Sequence, residues 1–315
     1  MTSFAFVFPG QGSQSVGMLD AWKQGDALHR AVQATLGEAS QALGYDLGRL
    51  IAEGPKEQLD LTTQTQPAML AVDIACYRAW LAEGGAEPVL VAGHSLGEYA
   101  ALVAAGALEL RDALPLVRFR AEAMQEAVPA GQGGMAAILG LDAAAVREGC
   151  AEVAAQGEVV EAVNFNDPKQ IVIAGTAAGV ARACEVLKAK GAKRALPLPV
   201  SAPFHSSLMK PAADRLREKL AATPFKAPRI PVLNNVDVQA ATEPDAIRDA
   251  LYRQAFCAVR WVETVEAMAA RGITHVVECG PGKALSGMVK RIDGNIVSTS
   301  LSDPASLTAT KEVLA

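Results

Sequence analysis

The chain has 315 residues, 50% of them hydrophobic and 20% charged, and its 29 Lys and Arg against 34 Asp and Glu give a formal net charge of -5. This mild acidic excess, with no basic stripe, argues against a nucleic-acid partner, because binding to phosphates needs clustered positive charge. Five scattered cysteines without a C-x-x-C pair, and four histidines without H-E-x-x-H, indicate reduced thiols in a cytoplasmic protein and no metal site.

The apolar runs, taken in chain order, indicate an α/β fold. The run at Phe4–Phe8 is apolar on both faces, as in a central strand, and the run at 88–92 leads into an Ala- and Leu-rich helix over 96–108. Further elements are predicted as helices over 66–81 and 112–127 and as strands over 230–233, 274–277 and 296–300. Because strands and helices alternate, we expect a parallel sheet covered by helices.

The ends of the chain and its longest apolar stretch bear on targeting. That stretch, 100–108, is far shorter than the ~18 residues that suggest a membrane span, so no transmembrane helix is expected. The N-terminus lacks a basic region and enters a strand directly, unlike a signal peptide. The last dozen residues are expected to be poorly ordered.

Residues 131–200 have the element order of a self-contained unit. Their strands and helices are predicted in the order βαββαβ, over 135–141, 142–156, 159–164, 170–174, 176–190 and 195–200. Asp142 and Thr176 are placed to cap the two helices. This is the ferredoxin-like arrangement. We therefore expect a hydrolase-like catalytic subdomain of residues 1–130 and 201–315, with 131–200 inserted as a second subdomain and the site in the cleft between them.

A candidate nucleophile follows the second predicted strand. Residues 93–97 read Gly-His-Ser-Leu-Gly, the G-x-S-x-G pattern, in the strand–turn–helix context that the pattern requires. The glycines allow a sharp turn that projects the Ser95 hydroxyl and directs the Leu96 amide toward a developing oxyanion, beside a helix N-terminus. The alternative is a glycine-bounded turn with an innocuous serine.

A serine nucleophile needs a base, and the chain offers four histidines. His29 lies in a polar helical segment and His275 in a strand, where a structural imidazole is expected. His94 neighbours Ser95 in sequence, so its side chain is expected to point away from the serine. The remaining candidate is His205, in the loop after the inserted unit; the alternative is an exposed loop histidine.

One arginine is predicted to be buried. The helix over 112–127 carries an apolar stripe that includes Val117 and Met124. Arg120 follows Val117 by three positions and precedes Met124 by four, so it lies on the inward face, unlike Arg118. A buried guanidinium must meet an anion, either an internal carboxylate or the carboxylate of a ligand. The sequence leaves both open.

These segments together resemble the malonyl-CoA:acyl carrier protein transacylase family over nearly the whole chain. The matching motifs are Phe8-Pro9-Gly10-Gln11-Gly12-Ser13-Gln14, residues 93–99, Arg120 with Met124-Gln125-Glu126-Ala127, Asn164-Phe165-Asn166, Phe204-His205, and Glu278-Cys279-Gly280-Pro281-Gly282-Lys283. The resemblance implies an acyltransferase with a hydrolase-like α/β unit and a ferredoxin-like insertion. It also implies malonyl-CoA and a phosphopantetheinylated acyl carrier protein as substrates, in fatty-acid synthesis, with no bound cofactor.

The resemblance also implies roles for the matching residues. Ser95 attacks the thioester of malonyl-CoA, and His205 takes the serine proton and returns it to the leaving thiol. Backbone amides of Gln11 and Leu96 hold the oxyanion, and Arg120 binds the malonyl carboxylate. The carrier-protein thiol then attacks malonyl-Ser95, which gives ping-pong kinetics. Supporting positions within the matched motifs are His94, Met124 and Asn164.

The group that would orient His205 is a further feature of the resemblance. No Asp or Glu stands out as a triad acid, and the family uses a backbone carbonyl near the position matching Gln254, which implies a Ser–His dyad. Residues 254–258 read Gln-Ala-Phe-Cys-Ala here, where Gln-Leu-Tyr-Asn-Pro is usual in the family.

The Phe204-His205 pair resembles malonyl-selective members, because a phenylalanine crowds an added methyl group.

Other functions share part of these features. A serine esterase or thioesterase would use Ser95 and His205 to pass the acyl group to water, but Arg120 and the missing triad acid argue against it. A catalytically silent module that docks carrier proteins would lack the nucleophile or the base. A discrete acyltransferase of a polyketide assembly line keeps the same chemistry, and the sequence does not separate it from fatty-acid synthesis.

A carrier protein is typically acidic, so a basic rim is expected to receive it. The candidates are Lys188, Lys190, Lys193 and Arg194 on the insertion, and Lys283, Lys290 and Arg291 after the Gly-Pro-Gly turn. The alternative is plain solvated surface. The chain is expected to act as a monomer.

Overall fold

The structure, a computed structural model, describes residues 2–23, 26–200 and 202–315; the predicted boundaries at Met1 and Ser201 lie outside the described residues. The strands are β1 (Phe4–Phe8), β2 (Leu90–Gly93), β3 (Gly133–Leu139), β4 (Val160–Asp167), β5 (Gln170–Thr176), β6 (Arg194–Pro197), β7 (Val232–Leu233), β8 (His275–Cys279) and β9 (Val297–Leu301). The α-helices are α1 (Asp26–Leu43), α2 (Leu47–Glu53), α3 (Lys56–Leu59), α4 (Thr62–Ala82), α5 (Gly97–Ala104), α6 (Leu110–Glu126), α7 (Ala143–Ala154), α8 (Ala177–Ala189), α9 (Lys210–Ala222), α10 (Pro244–Gln254), α11 (Trp261–Ala270), α12 (Ala284–Ile292) and α13 (Pro304–Leu314). None of the helices in these described ranges combines the length and the apolar character that crossing a membrane requires.

A parallel sheet in the order β7-β2-β1-β8-β9 forms the larger layer of the molecule. Its central strand, β1, is buried along its whole length. The phenylalanines of β1 face the main core, where the ring of Phe6 packs edge-on against Trp80 of α4. Ala5 and Val7 face a second core cluster that includes Trp261. Because side chains alternate between the faces of a strand, an apolar residue at every position suits a strand covered on both sides, as predicted.

A second, antiparallel sheet has the order β4-β5-β3-β6, with α7 and α8 packed against it. This is the strand order of a ferredoxin-like unit, so the predicted fold class is confirmed. Both predicted caps are also present: the Asp142 carboxylate accepts from the Ala145 amide at 3.0 Å, and the Thr176 hydroxyl accepts from the Gly179 amide at 3.0 Å. The division into subdomains at residues 130 and 201 stays a prediction.

Several predicted element boundaries are wrong, and each has a physical reason. The helix after β2 ends at Ala104 and not at 108, because Gly106 adopts a left-handed φ of +73° that turns the chain. Strand β6 ends at Pro197 and not at 200, and prolines at 197 and 199 have no amide hydrogen to donate to a sheet. The C-terminal residues, expected to be poorly ordered, form α13, which a capping box at Asp303 and the buried Leu307 stabilise.

Candidate active site

Ser95 lies at the apex of a sharp turn between β2 and α5. Its φ of +53° places a non-glycine residue in the left-handed region, a strained conformation that is frequent at functional sites. The turn closes only because its glycines lack side chains. A Cβ on Gly93 would lie 1.8 Å from the carbonyl carbon of Gly97, and a Cβ on Gly97 would lie 2.0 Å from the Phe8 oxygen. The predicted strand, turn and helix around Ser95 are therefore present.

Ser95 and His205 meet although they are 110 residues apart in sequence. Ser95 Oγ lies 2.7 Å from His205 Nε2, and His205 Nδ1 lies 2.8 Å from the backbone oxygen of Gln254. A carbonyl oxygen only accepts hydrogen bonds, so Nδ1 carries the ring proton and Nε2 is left to accept the hydroxyl proton of Ser95. A backbone carbonyl therefore orients the imidazole, even though residues 255–258 depart from the usual family sequence.

The environment of His205 keeps its imidazole uncharged. Burial, together with the positive charge of Arg120, lowers the pKa of His205 to about 3. The side chain is buried, and its φ of +64° is also left-handed. At neutral pH the ring is therefore neutral and able to accept a proton.

Arg120 is buried, as its helical position predicted, and the structure places it beside the serine. Its Nη2 donates to Ser95 Oγ at 3.3 Å and to Gln254 Oε1 at 3.0 Å, and its Nη1 donates to Gln66 Oε1 at 2.7 Å. Each of these partners is an uncharged oxygen. Within the described part of the chain, its Nε has no hydrogen-bond partner. The guanidinium is thus a buried cation whose hydrogen-bond partners carry no compensating charge, which favours a ligand anion over an internal carboxylate.

The serine opens into an inner cavity of about 120 Å³ between the two sheets. The predicted oxyanion residues, Gln11 and Leu96, both line this cavity with Ser95. The cavity adjoins an outer cleft of about 610 Å³, because Gln11 and His94 line both. Among the described residues, no cluster of three or more His, Cys, Asp or Glu side chains is arranged to hold a metal ion.

The supporting residues predicted from the motifs differ in how close they lie to the site. Phe204 and Asn164 line the inner cavity. His94 turns away from Ser95, as predicted, and its Nε2 lies 2.8 Å from Asn166 Oδ1. Met124 is buried in the main core and is not among the residues that line either cavity.

Three buried polar residues next to the site were not predicted. Gln66 holds Arg120, as described above. Asn235 Oδ1 accepts the Ser95 amide hydrogen at 2.8 Å, and Glu98 Oε2 accepts from the Asn235 amide at 2.9 Å. Burial raises the pKa of Glu98 to about 7. Gln66 ends a polar stretch at the start of α4 and Glu98 directly follows the turn glycine Gly97, so neither stands out in the sequence. No sequence pattern marks Asn235 in the loop after β7 either.

The predicted basic clusters lie on different elements. Helix α12 forms part of the wall of the outer cleft. Lys283 lies at the start of this helix, and Lys290 and Arg291 lie near its end. Arg291 is paired with Asp167 at 2.6 Å. In the other cluster, Lys190 is paired with two glutamates of α7. Which cluster receives a carrier protein stays a prediction.

The sequence and the fold both match known acyltransferases. The sequence profile described as "Acyl transferase domain" matches residues 5–292. The malonyl CoA-acyl carrier protein transacylase of Escherichia coli (strain K12) is 54% identical over 313 residues, which cover 99% of this chain and 100% of that protein.

Solved structures agree with this match. The acyl-carrier-protein S-malonyltransferase of Burkholderia pseudomallei 1710b is 65% identical with a TM-score of 0.96, covering 99% of this chain and 100% of that one. A malonyl-transacylase in complex with a type II PKS acyl-carrier protein is 49% identical with a TM-score of 0.96, again covering 99% and 100%. The chain therefore belongs to the acyl transferase family, among its malonyl CoA-acyl carrier protein transacylases.

Proposed function

We propose that this chain is an acyltransferase that moves the malonyl group from malonyl-CoA to the phosphopantetheine thiol of acyl carrier protein, and so supplies the extender unit for fatty-acid synthesis. One observation carries the proposal: a buried arginine whose hydrogen-bond partners are all neutral lies 3.3 Å from the hydroxyl of a serine paired with a histidine. A malonyl thioester carries its carboxylate two bonds from the reacting carbonyl carbon. The carboxylate of that group can therefore bind Arg120 while its carbonyl carbon lies next to the Ser95 hydroxyl.

The first half-reaction forms the acyl-enzyme. Ser95 Oγ attacks the thioester carbon of malonyl-CoA while His205 Nε2 takes the hydroxyl proton. The oxyanion of the tetrahedral intermediate is held by the backbone amides of Gln11 and Leu96. The carbon–sulfur bond then breaks, and His205 returns its proton to the departing CoA sulfur, leaving malonyl-Ser95.

The second half-reaction reverses these steps with a different thiol. The pantetheine thiol of the carrier protein gives its proton to His205 Nε2, and its sulfur attacks the carbonyl carbon of malonyl-Ser95. The intermediate collapses by breaking the bond to Ser95 Oγ, which takes the proton back. Every proton transfer has a named donor and acceptor, so the cycle requires only the two substrates and no bound cofactor.

The outer cleft and the relatives support a carrier protein as the acceptor. The cleft of about 610 Å³ leads to the inner cavity and has room for a pantetheine arm. The malonyl-transacylase that is 49% identical to this chain was solved with a type II PKS acyl-carrier protein. A polyketide carrier protein is therefore the second candidate acceptor, and the chemistry at Ser95 is the same for both.

Replacing Ser95 with alanine is expected to abolish acylation. Intact-protein mass spectrometry after brief mixing with malonyl-CoA should show a malonyl adduct on the wild type and none on Ser95→Ala, because the attacking oxygen is gone. Ser15→Ala is the matched control, since Ser15 is exposed and lines neither cavity, so its removal should leave the adduct unchanged. Release of free malonate without an adduct would instead identify a thioesterase and overturn the proposal.

Replacing Phe204 with serine is expected to weaken the preference for malonyl over methylmalonyl-CoA by about tenfold. Phe204 lines the inner cavity, and one methyl group in an apolar pocket is worth ~1–3 kcal/mol, or about 10–200-fold in discrimination. The measurement is the ratio of kcat/KM for the two thioesters. Phe119→Ser serves as control, since Phe119 packs between the main core and Arg215 and lines neither cavity. An unchanged ratio in Phe204→Ser would show that Phe204 does not set the selectivity.

A further inference from the structure

The Asn235 side chain bonds the turn that carries Ser95 at two points. Asn235 Oδ1 accepts the Ser95 amide hydrogen at 2.8 Å, and Asn235 Nδ2 donates to the Gly93 oxygen at 2.7 Å. One planar carboxamide therefore joins the residues on both sides of His94. Asn235 has no exposed surface, so a substrate does not reach it.

The strained backbone of Ser95 explains why such a clamp is needed. A non-glycine residue in the left-handed region costs ~1–3 kcal/mol and persists only when its surroundings fix it. An amide hydrogen without a partner inside the protein would add a further cost. The Asn235 carboxamide satisfies that amide and fixes the direction in which the Ser95 side chain leaves the turn.

The same network also reaches the histidine. Glu98 Oε2 accepts from the Asn235 amide and from Gln254 Nε2, each at 2.9 Å. Gln254 Nε2 donates in addition to the Ser95 oxygen at 2.9 Å, and the Gln254 backbone oxygen orients His205. One buried hydrogen-bond network, made of Asn235, Glu98 and Gln254, thus holds both the serine and the histidine.

We propose that Asn235 is a positioning residue that sets the reactive geometry of Ser95 Oγ toward His205 Nε2, and thereby the rate of both half-reactions, without contacting either substrate. This inference rests on the proposed role of Ser95 as the nucleophile. Because both half-reactions form or break the bond at the same Oγ, a displaced Ser95 slows both by the same factor. A residue that bound CoA or the carrier protein would instead affect one half-reaction or its KM.

The test uses Asn235→Asp, which has the same shape and keeps an oxygen to accept from Ser95. In its ionised form the aspartate places a carboxylate oxygen against the Gly93 carbonyl, so one half of the clamp becomes repulsive. We expect the rate constants for acylation by malonyl-CoA and for transfer to pantetheine each to fall by the same factor, about 10- to 100-fold, as a small misplacement of reacting groups does. The affinity for malonyl-CoA, measured in the Ser95→Ala background, should not change.

Asn234→Asp is the matched control, one residue away. Asn234 Oδ1 accepts from the Asp237 amide at 2.7 Å, a bond that a carboxylate keeps, and both rate constants should stay within about twofold of wild type. Asn235→Ala, which removes both bonds without adding a charge, should reproduce the equal loss with a wild-type circular dichroism spectrum.

Three results would overturn the inference. These are wild-type rates in folded Asn235 variants, a change confined to KM or to one half-reaction, and failure of both variants to fold, which would make Asn235 a purely structural residue. Failure of the proposed function looks different, because the wild type itself would then form no malonyl adduct on Ser95.

Discussion

Replacing Arg120 with alanine is expected to lower the rate of malonyl transfer by about 10²- to 10⁴-fold. Hydrogen bonds to charged groups contribute ~1.5–3 kcal/mol each, so the loss of two parallel bonds to a carboxylate removes ~3–6 kcal/mol of stabilisation. Acetyl-CoA has no carboxylate, so its slow acylation of Ser95 should change much less. The variant therefore loses selectivity together with rate.

The measurement is the rate of acyl-enzyme formation with malonyl-CoA and acetyl-CoA in parallel. Arg118→Ala is the matched control: Arg118 lies two positions away on the same helix, is half exposed and pairs with Glu122 at 3.0 Å. It should retain wild-type rates with both thioesters. If Arg120→Ala slowed malonyl and acetyl transfer equally, Arg120 would act on the serine or on the fold and not on the malonyl carboxylate.

Replacing His205 with alanine is expected to reduce both half-reactions by about 10²- to 10⁴-fold, the usual contribution of a general base. Ser95 Oγ loses the acceptor that lies 2.7 Å away, and the serine hydroxyl is a weak nucleophile without one. Single-turnover acylation measures the loss. The matched control is His275→Ala, since His275 lies in β8 and contacts Thr274. Acylation of His205→Ala at more than a tenth of the wild-type rate would exclude His205 as the base.

The pH dependence of the wild type tests the same base independently. A base works only in its deprotonated form, so activity falls as pH drops through its pKa. Since burial and Arg120 lower the pKa of His205 to about 3, kcat/KM for malonyl-CoA should show no acid limb near 6.5, the ordinary value for histidine. An acid limb of kcat/KM centred near pH 6.5 that disappears in His205→Ala would contradict this expectation. It would show that the imidazole of His205 is exposed to water in the free enzyme.

Short-range patterns in the sequence were sufficient to predict the turn around Ser95, the burial of Arg120 and two helix caps. The turn at 93–97 depends on two glycines, a serine and the apolar strand before them, all adjacent in the chain. The burial of Arg120 follows from helical periodicity, because its angular position relative to Val117 and Met124 is fixed by 3.6 residues per turn. The caps at Asp142 and Thr176 are also local, since each side chain bonds an amide three residues away.

The contacts between these local elements depend on packing between segments that are far apart in the sequence. The group that orients His205 is the backbone carbonyl of Gln254, and every residue type has such a carbonyl, so no side-chain pattern could identify it. Asn235 meets Ser95 across 140 positions, a separation at which packing and not local sequence determines contact. The order of α13 was missed because it depends on the burial of Leu307 in the main core. Local sequence patterns thus predict the candidate reactive residues and their backbone, whereas packing between distant segments places the hydrogen-bond network that holds them together.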